Sequence, residues 1–280
     1  MKGQTNLSLY QAGLPQEKIW SKEKIKKEVE AKQGLAEYMH EDSTYSINPK
    51  MIALYNFADE PLLGKFKAVI FDQEKGIVLC KKSSQQLVHD LFKNKLLFGA
   101  SFQKHINEML GFKYHHIISV WQTAYFSLNG YFDQNTDWIS LHQMSDYQVR
   151  KQVIQFITAS GYRFEFSNCC HHLPLRIGEG ITHNWILGKI IKESFREMGL
   201  HLHTCKRIRR GESILHNEGY LIPKPTLNQD EIMLKQIMAR LEDLDFKQIG
   251  RAMSNLFDLP INESDLKLIR RASKRPDSIY

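Results

Sequence analysis

A run of short strand-like segments that ends in one amphipathic helix is the feature of this sequence that most constrains its fold. Apolar and aromatic residues have the pattern typical of strands at 114–121, 124–128, 138–142, 154–158 and 162–166. The segment 181–198 has the helical period instead, with Thr182 as its cap and Gly199 as its stop. The predicted core face of this helix consists of Leu187, Ile190, Ile191, Phe195 and Met198. Strands followed by a packed helix predict an α+β fold with an antiparallel, strand-rich core.

Turn and cap signals place further elements in this core. The segments 66–71 and 77–80 flank a polar turn that ends in Gly76, which predicts a β-hairpin. A helix is predicted over 85–97 with Ser84 as its cap, and a second short helix after Ser101. The last two strands are predicted to pair across the turn at 159–161.

Two extensions flank the predicted core, which covers residues 45–204. Residues 1–44 contain one predicted helix, 21–39, whose many Lys and Glu residues indicate a solvated helix that docks lightly or acts as a spacer. Residues 205–280 predict a basic loop followed by three short amphipathic helices, which together form a small helical subdomain. The chain is therefore expected to have three regions.

Charge and composition narrow the classes of partner. The 280-residue chain carries a net charge of +7, which favours polyanions such as nucleic acid or an anionic membrane without choosing between them. No stretch approaches the roughly 18 apolar residues of a membrane span, and the N-terminus has no secretory pattern. The four cysteines include no C-x-x-C pair, so reduced thiols are expected. The sequence predicts a cytoplasmic protein, and the family resemblance described below implies association with the nucleoid and not with a membrane.

Four segments, taken in order and with their spacing, resemble one known family. They are Tyr45 to Leu54 (YSINPKMIAL), Gly99 to Phe102 (GASF), Trp138-Ile139 and Leu173-Pro174-Leu175. Together they resemble the core of the ComK family, transcription factors that switch on DNA-uptake genes in low-GC Gram-positive bacteria. The resemblance covers residues 45–204. It implies an apolar core that includes Ile47, Leu54, Trp138, Leu173 and Leu175.

The resemblance also implies a function and partners. ComK-like proteins recognise paired A/T-rich boxes in double-stranded DNA as homo-oligomers, largely through the minor groove, and act through RNA polymerase. Regulation by a proteolytic adaptor is a further expectation of the family. Physically, such binding is salt-sensitive, because neutralised phosphates release counterions, and it depends on the shape of the groove.

The predicted helix at 181–198 carries the preferred DNA contacts. Lys189, Lys192 and Arg196 stand at i, i+3 and i+7, with Trp185 one turn earlier, so three cations share one face opposite the apolar stripe. Three cations at this pitch suit a row of phosphates. The alternative interpretation is a solvated helix face, because Lys and Arg routinely occupy outer helical positions.

A second set of contacts follows Phe102, where the sequence departs from the family. The family has an arginine-rich cluster here, suited to the negative potential of narrow grooves. This chain offers Lys104 and His105, with Lys113 further on, and is about three residues shorter than the family pattern. These three residues inherit the DNA-binding role only in part. Either the protein binds DNA through other surfaces, or its affinity or sequence preference has changed.

The C-terminal region contains an alternative DNA-recognition element. Predicted helices at 246–256 and 263–273 resemble a helix-turn-helix in their arrangement, although their connection is longer than the usual tight turn. The second helix and its end carry Lys267, Arg270, Arg271, Lys274 and Arg275. Helical pairs of this size also serve as packing or dimerisation elements. The basic loop at 206–210 is a further phosphate contact or a solvated hinge.

Signatures of metal binding and catalysis are weak. Cys170 or His172 pooled with His203 and Cys205 would make a zinc site, but ordinary polar or half-buried residues explain these positions better. The sequence contains no Walker loop, dinucleotide fingerprint, nucleophile elbow or H-E-x-x-H motif. We therefore expect no metal, no cofactor and no enzymatic activity.

Three hypotheses for function follow. The first is a ComK-like DNA-binding activator that uses the core. The second is a DNA-binding protein that reads through the C-terminal helices. The third is a ComK-derived regulator that binds other proteins and has lost specific DNA binding, as the missing arginine cluster allows.

Overall fold

The computed structural model describes residues 13–31, 38–94, 100–112, 116–120, 122–130, 135–150, 153–167, 172–197 and 213–222. The chain divides into two compact units, Met1–Lys224 and Pro225–Tyr280, and every described residue lies in the first. The strands are β1 (Ile19–Trp20), β2 (Met39–Glu41), β3 (Met51–Asn56), β4 (Ala68–Asp72), β5 (Gly76–Cys80), β6 (Ile117–Val120), β7 (Thr123–Ser127), β8 (Trp138–Ser140), β9 (Met144–Arg150), β10 (Val153–Thr158) and β11 (Arg163–Ser167). The helices are α1 (Lys22–Ala31), α2 (Ser84–Asn94), α3 (Ala100–Met109) and α4 (Leu173–Glu197), with short 3-10 turns at Leu141–Gln143, Ile214–His216 and Glu218–Tyr220. These elements confirm the predicted α+β class.

The larger sheet has seven strands in the order β2-β5-β4-β3-β8-β7-β6. Its neighbours pair antiparallel, except for the parallel pair β2 and β5. Strands β3, β4 and β5 are buried along their whole length, so both faces of the sheet are covered at its centre. The predicted hairpin is confirmed as β4 and β5. Asp72 closes its turn, because Oδ1 accepts the N–H groups of Glu74 and Lys75 at 2.9 and 3.0 Å.

The smaller sheet has four strands in the order β1-β11-β10-β9. The predicted hairpin at 154–158 and 162–166 is confirmed as β10 and β11, which pair antiparallel. Gly161, at φ +85°, occupies the turn in a conformation that favours glycine. Strand β9 pairs antiparallel with β10 and was outside the sequence predictions, because Asp146, Gln148 and Arg150 make it largely polar.

The N-terminal segment packs more deeply than a lightly docked helix. Trp20, Ile25 and Val29 are buried in the same apolar cluster as the core strands. Strand β1 adds to the smaller sheet by pairing in parallel with β11. Helix α1 therefore presents its Lys and Glu residues to solvent while its narrow apolar stripe and the preceding tryptophan are part of the core.

Helix α4 begins at Leu173, nine residues before the predicted cap. Pro174 lies in its first turn, where a missing N–H costs little. The predicted core positions Ile47, Leu54, Trp138 and Leu173 are buried, but Leu175 is 42% exposed. The prediction for Leu175 is wrong because residues two apart on a helix point to nearly opposite sides. Thr182 is internal to α4, and its Oγ1 accepts the N–H of Ile222 at 2.7 Å.

Helix α2 begins with a reciprocal cap one residue before the predicted one. The N–H of Gln86 donates to Ser83 Oγ at 3.3 Å, and the N–H of Ser83 donates to Gln86 Oε1 at 2.9 Å. This pair of bonds is a capping box, which satisfies donors at the helix start that otherwise lack a partner. The predicted cap, Ser84, instead accepts the N–H of Thr136 at 3.1 Å and ties α2 to the start of β8.

Candidate nucleic-acid interface

Two of the segments that carry the family resemblance are neighbours in the structure. Ala53 and Leu54 of β3 pair with Ile139 and Trp138 of β8. Beyond the end of β8, the ring of His142 contacts the carbonyl oxygen of Pro49 through Nε2 at 3.0 Å. Gln143 Nε2 donates to the same oxygen at 2.8 Å. The two segments therefore have a packing role, because each holds the other in place.

A buried polar network supports the turn that precedes β3. Tyr45 Oη donates to Asp72 Oδ2 at 3.0 Å, and Asn48 Nδ2 donates to the same oxygen at 3.1 Å. Tyr45 is 0% and Asp72 1% exposed. Burial and the nearby Asp72 carboxylate raise the pKa of Tyr45, so its hydroxyl keeps its proton and acts as a donor. These residues stabilise the scaffold and do not form an interface.

His142 joins the turn at Pro49 to strand β7. The N–H of Ala124 donates to Nδ1 at 3.2 Å, which leaves Nε2 to carry the proton that is donated to Pro49. Burial lowers the pKa of His142 to about 4, although the carbonyl oxygens of Pro49, 3.0 Å from Nε2, and of Ala124, 3.3 Å from Nδ1, oppose this shift. The neutral ring is the form that fits between the two backbone groups.

The lowered pKa of His142 predicts acid sensitivity. An ordinary pKa of 6.5 in the unfolded chain and about 4 in the folded chain make its contribution complete above pH 6.5. That contribution is lost as the pH falls through the folded pKa, because only the unfolded chain protonates readily in this window. We expect a loss of about 2 kcal/mol, allowing for the partly accessible ring. Urea unfolding of the wild type and of His142→Gln from pH 7 to pH 4 measures this loss. If the free energies of unfolding of the two proteins fell in parallel with pH, the prediction would be contradicted.

The predicted cationic row lies on the outer side of α4. Lys192 and Arg196 are exposed, and Lys189 is partly exposed, while Leu187, Ile190 and Ile191 are buried as predicted. Lys189 Nζ lies 3.6 Å from the centre of the Trp185 ring, a cation–π contact. Arg196 forms a close ion pair with Glu193, three residues earlier on the same helix. The row is thus ordered at one end by an aromatic ring and partly neutralised at the other.

The second predicted set is only partly described. Lys104 Nζ lies 3.9 Å and His105 Nδ1 3.4 Å from the carboxylate of Glu108 on α3. Lys113 lies outside the described residues. One carboxylate therefore faces both candidate contacts, which lowers the positive potential of this helix.

Helices α3 and α4, which carry the two sets, pack against each other. His183 Nδ1 lies 2.6 Å from Asn107 Oδ1, and both side chains are buried. The inner side of α3 also reaches the larger sheet, since Gln103 bonds to both backbone groups of Ser119. The cations of α3 and α4 thus belong to one packed layer. The basic residues predicted at 206–210 and 267–275 lie outside the described residues.

A polar cavity of about 450 Å³ beside the start of α1 was missed by sequence reasoning. Asp137 lines this cavity. Lys22 Nζ lies 3.1 Å from Asp137 Oδ1, and the N–H of Asn56 donates to the same oxygen at 2.6 Å. Burial raises the pKa of Asp137 in spite of Lys22. The remaining charged lining residues are carboxylates, namely Glu23, Asp59 and Glu165. The surplus of negative charge repels phosphate, so the cavity does not belong to a nucleic-acid interface. The only sequence clue was an acidic residue beside Trp138.

Two described histidines, the candidate ligand His172 and His116 before β6, have surroundings other than a metal site. His116 is buried, its Nδ1 lies 3.2 Å from the carbonyl oxygen of Ser127, and its ring stacks on Phe126. His172 is exposed at the residue before α4. Within the part of the chain that the structure describes, no three His, Cys, Asp or Glu side chains are grouped to hold a metal ion. Cys170, His203 and Cys205 lie outside that part.

Among the described helices, none combines the length and the apolar character needed to cross a bilayer. No protein-family model matches the chain, and no curated protein and no solved structure matches it.

Proposed function

We propose that the protein is a ComK-like transcription activator of DNA-uptake genes that binds DNA in a sequence-dependent way. In this proposal it recognises A/T-rich boxes mainly through the minor groove, binds as an oligomer and acts through RNA polymerase, as the family resemblance implies. The observation that carries the proposal is the cationic row of α4, which stands on the side of the helix opposite its buried stripe.

The geometry of the row suits contact with a phosphate backbone. Arg196 lies seven residues after Lys189 in the sequence, which corresponds to about 10 Å along a helix. Phosphates of one DNA strand recur about every 3.4 Å along the duplex axis, so the row spans about three of them. Trp185 restricts the motion of Lys189. A restricted cation loses less conformational entropy on binding, which supports its assignment as a contact.

Substitution of the row tests the proposal. We expect Lys189→Ala/Lys192→Ala/Arg196→Ala to weaken binding to an A/T-boxed duplex and to lower the slope of log K against log salt by about 2 to 3, because each lost phosphate contact removes about 0.9. Fluorescence anisotropy from about 50 to about 200 mM salt measures both effects. A G/C-matched duplex and a minor-groove ligand as competitor test groove dependence.

A matched control removes the same charge elsewhere. Lys50 and Lys65 are exposed and Lys26 is half-buried, and these three lysines pair with Glu74, Glu41 and Glu60 at 2.5 to 2.9 Å. Their triple alanine variant has the same net charge as the α4 variant and is expected to keep most of the affinity. Equal losses from both variants would mean generic attraction to polyanions and would overturn the role of α4.

The carboxylates beside the candidate contacts favour a second function. Glu108 faces Lys104 and His105, and Glu193 pairs with Arg196, so the basic surface is weaker than its lysine and arginine content suggests. This pattern fits a regulator that binds other proteins and lacks specific DNA binding. Weak, equal binding to the A/T-boxed and G/C-matched duplexes, abolished at moderate salt, would support that function.

Lys267→Ala/Arg270→Ala/Arg271→Ala in the full chain tests whether the C-terminal helices bind DNA instead.

A further inference from the structure

The edges of the two sheets are treated differently among the described strands. In the larger sheet, Gln103 covers the edge strand β6 by accepting the N–H of Ser119 at 2.8 Å and donating to its carbonyl oxygen at 2.9 Å. The opposite edge, β2, has three residues, and the edge strand β1 of the smaller sheet has two. Short or covered edges are the usual protection against unwanted pairing. Strand β9, with seven residues, is the longest of the four edges.

Strand β9 is exposed along most of its length. Asp146, Gln148 and Arg150 are exposed on one face of the strand, and Val149 on the other face is 47% exposed. The register with β10 is regular from Asp146 to Arg150, and the irregularity lies outside this stretch, at Ile157 and Thr158. The edge therefore presents a regular strand to a partner, a geometry suited to the addition of another strand.

The sequence of this edge is complementary to itself when two copies run antiparallel. A twofold axis through Gln148 places Asp146 opposite Arg150 of the second copy, and Arg150 opposite the second Asp146. On the other face it places Tyr147 opposite the second Val149. Opposite charges and aromatic–β-branched pairs are the cross-strand combinations that stabilise sheets. Pairing would also cover the exposed side chain of Val149.

We propose that β9 is a dimerisation edge, which pairs antiparallel with β9 of a second copy about a twofold axis at Gln148. The two four-stranded sheets then form one continuous eight-stranded sheet across the dimer. A twofold-symmetric interface uses the same patch on both subunits, as this register requires. Tyr220, whose ring centre lies 5.8 Å from that of Tyr147, also hydrogen-bonds the carboxylate of Asp146, so Arg150 of the second copy would share that carboxylate with it.

The β9 interface identifies the oligomer of the proposed function, and it follows from the strand geometry and the side-chain pattern of β9. It makes no use of α4 or of DNA binding. Its tests are made without DNA, so a monomeric protein would overturn the β9 dimer and the oligomeric part of the proposed function, while the α4 contacts with DNA have their own experiment. Loss of DNA binding by the α4 variant, conversely, has no bearing on the β9 edge.

Charge exchange across the axis tests the register. Arg150→Glu brings two pairs of like charges together and is expected to raise the dimer dissociation constant at least about tenfold. Asp146→Lys/Arg150→Glu restores opposite charges and is expected to return the constant to within about threefold of wild type. Sedimentation equilibrium of the full chain, over about a hundredfold range of concentration, measures all three proteins.

A cysteine on the axis gives an independent readout. Directly opposite residues of antiparallel strands have Cα atoms about 4.5 to 5.5 Å apart, which a disulfide can bridge. With oxidised glutathione as the oxidant, Gln148→Cys is expected to form a covalent dimer. Ser167→Cys, exposed on β11 two strands from the edge, is the matched control and is expected to remain at the wild-type level.

Each outcome decides the proposal. The β9 interface is supported if Arg150→Glu dissociates the dimer, if Asp146→Lys/Arg150→Glu restores it, and if Gln148→Cys cross-links selectively. A wild type that stays monomeric, or a dimer that neither substitution affects and that position 148 does not cross-link, would overturn it. Melting curves check the fold of each variant, and the cysteine test decides alone if Arg150→Glu fails to fold.

Discussion

We expect Trp20→Ala to lower the free energy of unfolding by about 4 kcal/mol, because it removes a fully buried indole from the core. The ring centre of Trp20 lies 4.9 Å from that of Phe71 on β4. Its Nε1–H donates to the carbonyl oxygen of Glu17 at 3.0 Å. Truncation leaves a cavity between the N-terminal segment and the larger sheet. Urea unfolding followed by far-UV circular dichroism measures the loss without relying on tryptophan fluorescence.

Ile19→Ala is the matched control for Trp20→Ala. Ile19 is the neighbouring residue of β1 but is 44% exposed, so its truncation is expected to cost less than about 1 kcal/mol. A small effect of both substitutions would mean that β1 and α1 contribute little to the core. A large effect of Trp20→Ala alone would establish the N-terminal segment as part of the folded unit.

The sequence predicts the two hairpins because their signals are local. An apolar strand, a polar turn with glycine and a second apolar strand specify β4 with β5, and β10 with β11, within about fifteen residues each. Strand β9 lacks such a signal, since its outer face is polar and only its pairing with β10 makes it a strand. Tertiary context decides its conformation, which propensity alone does not.

The start of α4 is hidden by residues that disfavour helices. Pro174, Gly178 and Gly180 suggest a loop before Thr182 when propensities are considered alone. The structure explains both glycines by close packing. A Cβ at Gly180 would lie 3.1 Å from Ile117 Cδ1, and one at Gly178 would collide with Ile222. The low helix propensity of the two glycines is therefore offset by close packing of α4 against β6 and the segment at 213–222.

The cationic row of α4 could be predicted from residue spacing, because a helix fixes which side chains share a face. Its ion pair with Glu193 was also readable, since the two residues stand three apart. The cavity at Asp137 could not be predicted from the sequence, because it is lined by α1, β3 and the start of β8, which are distant in the sequence. Sites assembled from distant segments need the fold before they become visible.

Asp72 joins two local structures through one buried carboxylate. Oδ1 accepts the backbone N–H groups of the β4–β5 turn, and Oδ2 accepts from Tyr45 and Asn48 before β3. Such a carboxylate satisfies four donors, two of which belong to the segment with the strongest family resemblance. Removal of one partner from a buried network leaves donors that water cannot reach, and this costs more than the mean value of a hydrogen bond.

We expect Asp72→Ala to lower the free energy of unfolding by about 3 to 5 kcal/mol, because it removes the acceptor of the buried Tyr45 Oη and leaves Asn48 Nδ2 with only its 3.4 Å contacts to Ser46 O and Tyr45 Oη. Tyr45→Phe is expected to cost about 1 to 2 kcal/mol, and the double variant less than the sum, since one interaction is lost in both. Glu74→Ala, which removes a surface ion pair with Lys50, is the control and is expected to change stability by less than about 1 kcal/mol. Urea unfolding of the four variants measures the cycle. Strict additivity of Tyr45→Phe and Asp72→Ala would contradict the network, because two coupled partners cannot be removed independently.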